Sequence, residues 1–125
     1  MTDYLTIIEV LEIHSDLIER YGGSQGVRDL GALESALYRP QSGYYQNLLE
    51  EAAAQWESLS QNHPFVDGNK RVGFAVTYTF LKINGYSITS DSDDTYQFMS
   101  NLYETSSFQY QNLLDWLKEN AIKDS

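Results

Sequence analysis

Between Lys70 and Ile83 the chain places Val72, Phe74, Ala75, Val76, Tyr78, Phe80, Leu81 and Ile83, so that apolar side chains fall on nearly every face of a helix. A surface helix confines such residues to one stripe, whereas a helix that is apolar nearly all round is enclosed by other elements. The segment is therefore expected at the centre of the fold, with Asn84-Gly85 as its C-cap and the remaining helices wrapped around it. A helix held on most sides also holds whatever loop leads into it, which is what a site needing fixed reacting groups requires.

The wrapping is legible in the flanking segments. Thr6-Ile7-Ile8-Glu9 reads as a capping box, and Ile7, Val10, Leu11, His14, Leu17, Ile18 and Tyr21 keep helical spacing until Gly22-Gly23. Asp29 is a natural N-cap for a short helix over Leu30 to Tyr38, which Arg39-Pro40 ends because the residue before proline avoids helical geometry. Gln41 to Gln46 reads as an exposed loop or short hairpin. Leu48, Leu49, Ala52, Ala53, Trp56 and Leu59 form the next apolar stripe. After the central helix, Tyr86 to Thr89 suits a short extended piece, Ser92-Asp93-Asp94 opens a helix carrying Tyr96, Phe98, Met99, Leu102 and Tyr103, and a last helix is expected from about Ser107 to Asn120. The expectation is an all-α single domain over residues 1–125, with its core between about 4 and 120: a bundle of about six helices around a central buried helix, with little or no strand.

Composition removes several function classes. A chain of 125 residues can bury a sizeable core without metal or disulfide support. It contains no cysteine, which excludes thiol chemistry and suits the cytoplasm. The acidic start Met1-Thr2-Asp3-Tyr4 does not resemble a signal or transit peptide, and no apolar run is long enough for a membrane span. A formal net charge of −10 disfavours nucleic acid and anionic membrane as partners. The only adjacent basic pair is Lys70-Arg71, and a local positive spot in an acidic chain suggests a small anionic ligand.

That pair closes the stretch His63-Pro64-Phe65-Val66-Asp67-Gly68-Asn69-Lys70-Arg71, which leads directly into the central helix. Gly68 and Asn69 permit a sharp turn and close approach of backbone N–H groups to an anion. A phosphate there would meet a helix N-terminus, where free donors and the macrodipole favour negative charge. Cations in a first helical turn oppose that dipole, so Lys70 and Arg71 are placed where helix stability alone would not put them. His63 is the candidate general base, a role that typically contributes about 10²–10⁴-fold in rate. Asp67 could hold Mg²⁺ together with phosphate oxygens, the metal arriving with the nucleotide. Lys70 and Arg71 would neutralise phosphate charge, Arg71 by a two-pronged contact. Singly, these features are ordinary turn and surface residues, but the ordered set is not. His14, on the apolar face of the first helix, reads as a structural histidine satisfied by a hydrogen bond. Arg20 and Arg28 are either accessory phosphate contacts or solvated.

The His63 to Arg71 loop resembles the signature of the Fic/Doc family, and Lys70, where AMP-transferring Fic proteins usually have glycine, points to its Doc (death-on-curing) branch. Ile18-Glu19-Arg20-Tyr21-Gly22-Gly23, Leu33-Glu34-Ser35-Ala36-Leu37 and Phe80-Leu81-Lys82-Ile83-Asn84-Gly85 are also similar to Doc segments. The resemblance implies that His63 activates a target hydroxyl, that Asp67 binds the metal, and that Gly68, Asn69, Lys70 and Arg71 cradle phosphate. A second nucleotide-gripping arginine of the AMP-transferring relatives would stand at Phe74, which favours phosphate over AMP transfer. On the resemblance, the chain is a cytoplasmic toxin using ATP and Mg²⁺ to phosphorylate a protein hydroxyl, with elongation factor Tu the expected target. It is restrained by a separate cognate antitoxin, whose docking segment an acidic chain would accept most readily if basic. The alternatives are AMP or other nucleotidyl transfer on the same scaffold and a degenerate, non-catalytic binding module.

Overall fold

The computed structural model describes residues 1–125 and orders them as α1 (Ile7–Tyr21), α2 (Leu30–Tyr38), a 3₁₀ turn (Arg39–Gln41), α3 (Leu48–Gln61), α4 (Asn69–Ile83), β1 (Tyr86–Ile88), α5 (Ser92–Glu104), α6 (Tyr110–Asn120) and β2 (Ala121–Lys123). The mostly helical reading holds. Side-chain caps fix four helix starts: Thr6 and Glu9 make the reciprocal capping box of α1, and Asp29, Asn47 and Asp91 accept the N–H groups of Ala32, Glu50 and Asp94. Each such cap typically stabilises a helix by about 1 kcal/mol.

α4 buries Val72, Val76, Phe80 and Leu81 completely. α3 lies along it with Ala52, Ala53, Trp56 and Leu59, α1 also packs against it, and α6 packs on α3 with Leu113 and Leu117. Close approach of α3 and α4 depends on Gly73, since a Cβ there would stand 2.3 Å from Ser60 Oγ. The enclosure is incomplete on one face: Phe74 is half-buried and Tyr78 is exposed, because both line a cleft.

Several boundaries differ from the sequence reading. Pro40 does not stop the chain dead; it opens the 3₁₀ turn, after which residues 42–47 form no hairpin. α5 does open at Ser92, with the preceding Asp91 as its N-cap. α6 begins at Tyr110, about one turn later than expected, because Ser106 adopts φ 54° and Tyr110 N–H donates to Glu57 Oε2 at 2.7 Å. The C-terminal residues form β2, antiparallel to β1 with Tyr86 opposite Lys123 and Ile88 opposite Ala121. No helix is long and apolar enough to cross a membrane.

Candidate active site

The loop between α3 and α4 is built from both sides. After the α3 C-cap Asn62, His63 takes φ 48°, a left-handed conformation uncommon for a side chain with a Cβ and further disfavoured before proline. Arg28 holds it there, its Nε donating to His63 O at 2.6 Å and its Nη2 to Asn62 O at 3.0 Å. The backbone N–H groups of Arg28 and Asp29 both reach Pro64 O, and Val66 N–H donates to Gly26 O. From beneath, the buried His14 ring stacks on Phe65 with centroids 3.8 Å apart and planes 7° apart, and its Nε2 hydrogen-bonds Asp67 O at 2.7 Å. Asn69 clamps the interior: its Oδ1 accepts Phe65 N–H, while its Nδ2 donates to Phe65 O at 3.0 Å and lies 3.4 Å from His63 Nδ1.

α4 then starts differently from α1, α2, α3 and α5. Its N-cap is Gly68 at φ 76°, with no side chain to satisfy the first N–H groups. These donors, of Asn69, Lys70 and Arg71, open toward a cleft of about 930 Å³ lined by His63, Asp67, Gly68, Asn69, Lys70 and Arg71 on one side and by Tyr96, Met99 and Tyr103 of α5 on the other. Small-molecule sites commonly fall in this size range, about 300–1,000 Å³. The two cations diverge: Arg71 lies over the Tyr21 ring and donates to Gly22 O at 3.2 Å, while Lys70 Nζ stands 4.1 Å from the Tyr103 centroid. Negative charge between them would meet a cation on each flank and the free helix donors beneath.

The exposed Asp67 carboxylate accepts Gly68 N–H at 2.8 Å through Oδ1 and Ser24 N–H at 3.1 Å through Oδ2. These bonds aim the group and leave acceptor capacity on both oxygens, since a carboxylate offers about four lone-pair sites. No group of three or more His, Asp or Glu side chains forms an all-protein metal cage. A single carboxylate beside a cleft with two cations and free N–H donors has the chemistry that suits Mg²⁺, which is usually held by one or two carboxylates and a substrate's phosphates.

The profile of the Fic/DOC family matches residues 4–81. A protein named Toxin Doc, from Mycolicibacterium smegmatis, is 43% identical over 98 residues, covering 74% of this chain and 73% of that one. The chain belongs to the Fic/Doc family. A second member, named Protein kinase doc, from Escherichia phage P1, is 32% identical over 84 residues, 64% of this chain and 67% of that one.

Within this Fic/Doc chain the six residues of the loop and helix start share one cleft, and the two outlying arginines do not join them. Arg20 Nε pairs with Asp16 at 3.1 Å on an exposed face of α1. Arg28 spends its guanidinium on the backbone behind His63, and neither arginine lines the cleft. Sequence reading assigned no site role to His14, which supports Asp67 from below, nor to Ser24, whose N–H orients the carboxylate. The α5 wall was also missed, because Tyr96, Met99 and Tyr103 carry the spacing of an ordinary packed helix face.

Proposed function

We propose that this chain is the toxin of a toxin–antitoxin pair and that it transfers the γ-phosphate of ATP to a protein hydroxyl, with elongation factor Tu as its target. The carrying observation is the uncapped start of α4, where free N–H donors, Lys70 and Arg71 face the same cleft as the imidazole of His63. ATP phosphates occupy the cradle formed by Gly68, Asn69, Lys70 and Arg71. Asp67 is the residue that would hold Mg²⁺, and the ion supplies charge neutralisation for the phosphates when bound. The target hydroxyl oxygen forms a bond to the γ-phosphorus as His63 takes its proton; the bond to the bridging oxygen breaks and ADP leaves with the electron pair. Donors fixed before substrate arrives stabilise charge without reorganisation, and the clamp of Arg28, His14 and Asn69 fixes this loop.

Two residues favour phosphate over nucleotidyl transfer: Lys70 supplies a second cation in the cradle, and Phe74, one turn on, supplies no arginine to grip the rest of a nucleotide. The relatives named Toxin Doc and Protein kinase doc support the same reading and imply a cognate antitoxin. The test is incubation with a cell extract and ATP labelled at either the α or the γ phosphate. Label on a target protein from γ-labelled ATP alone, lost in His63→Ala, is expected; label from α-labelled ATP alone makes the chain a nucleotidyltransferase.

A further inference from the structure

We propose that Tyr103 is a positioning residue for Lys70, holding its ammonium on the α5 flank of the cleft and so fixing where phosphate charge is neutralised. The inference deepens the proposed function and rests on reading the cleft as a phosphate site. Lysine ends in a compact point charge on a flexible four-carbon stem, and it loses much rotamer freedom when ordered. Left to itself on the exposed first turn of α4, this ammonium would sample the whole mouth of the cleft. Its Nζ instead lies 4.1 Å from the Tyr103 ring centroid, well within reach of the ring's negative face.

The ring is itself packed in place. One face stacks on the buried Phe108 with centroids 4.3 Å apart and planes 10° apart, which leaves the other face to Lys70. The hydroxyl is buried and turned inward toward Ser60 without a full-strength hydrogen bond, and burial pushes this phenol up to about 12. Tyr103 therefore presents a neutral ring to the cleft, not a hydroxyl. Arg71, one residue on and so about 100° around the helix, is held on the opposite flank by Tyr21 and Gly22 O. Adjacent cations thus have separate aromatic seats on opposite flanks of the uncapped N–H groups, and a polyphosphate chain is confined to the lane between them.

The proposal separates from simple core filling in a double-mutant cycle read by MgATP binding to the purified full chain. Tyr103→Leu is expected to weaken MgATP by about 3- to 10-fold, the range of a partly exposed cation–π contact. Tyr103→Phe, which keeps the ring, should restore binding to within about 2-fold of the original, and in a Lys70→Ala background Tyr103→Leu should add less than about 2-fold. Equal losses with and without Lys70 overturn the proposal, as does unchanged binding in Tyr103→Leu. In the unmutated chain the Lys70 ε-methylene protons should be shifted upfield by the ring; values of a free lysine overturn the proposal without any substitution. Because the cycle reads binding rather than transfer, α-phosphate labelling would end the kinase reading while leaving the coupling measurable, and absence of MgATP binding would end both.

Discussion

His14 offers the most discriminating perturbation of the loop, because one side chain makes two separable contacts: a ring stack on Phe65 and a hydrogen bond from Nε2 to Asp67 O. His14→Phe keeps an aromatic ring and removes the donor. The Asp67 carbonyl then loses its only protein partner in a part-buried setting, a cost of about 1–2 kcal/mol. His14→Ala also loses the stack, about 0.5–1.5 kcal/mol, and leaves a hole under the loop, so the total should reach about 3–4 kcal/mol. In a chain of this size 1 kcal/mol corresponds to about 3–5 °C in Tm. His14→Gln, whose amide nitrogen can take the place of Nε2, should be destabilised by loss of the stack yet keep Asp67 in position. Urea melts combined with MgATP titration on the three variants should therefore separate the contacts: Phe and Gln lose similar stability, about 1–2 and 0.5–1.5 kcal/mol, and Ala loses most, whereas Gln keeps the MgATP affinity that Phe loses. A His14→Phe chain that matches the unmutated one in both measurements, or a His14→Gln chain that loses as much MgATP affinity as His14→Phe, refutes this assignment.

Two further outcomes follow from single positions. Gly23 adopts φ 115°, and a Cβ there would lie 2.8 Å from Asp67 Oδ2 and 3.0 Å from Ile18 Cδ1, so Gly23→Ala should cost about 1–3 kcal/mol and displace the carboxylate; a urea midpoint and a MgATP affinity both unchanged would contradict this. Burial holds the Tyr103 phenol at about 12 against the ordinary 10.0, so the folded chain keeps this proton more tightly than the unfolded one. The associated stability is fully present below pH 10 and is lost as pH rises through about 12. Tyr4 and Tyr110 are also pushed up, chiefly by burial, so Tyr103→Phe should remove only part of the alkaline slope in urea midpoints, and an unchanged slope would refute the assignment.

Local chemistry made much of this fold legible. Thr6 with Glu9, Asp29 before Leu30, and the dense apolar run after Lys70 each act within a few residues, so their consequences can be read along the chain. The cleft residues of the loop were legible for the same reason, being contiguous. What was hidden depends on partners far apart in sequence: Arg28 on His63 O, His14 on Asp67 O and Ser24 on the Asp67 carboxylate join segments 35, 53 and 43 residues apart. β2 was missed because three residues after a helix carry no alternation to detect, and the strand exists only through pairing with β1. The late start of α6 has a similar origin, since its first N–H is bound by Glu57 of α3.

On the proposed function, the uncapped start of α4 binds polyphosphate between Lys70 and Arg71. Titration of the isotopically labelled chain with MgATP, followed through backbone amide resonances, tests it most directly. The Asn69, Lys70 and Arg71 amides should move first and farthest, together with Asp67 and Gly68. Saturable MgATP binding that leaves those amides unmoved, or no binding at millimolar MgATP, would contradict the account.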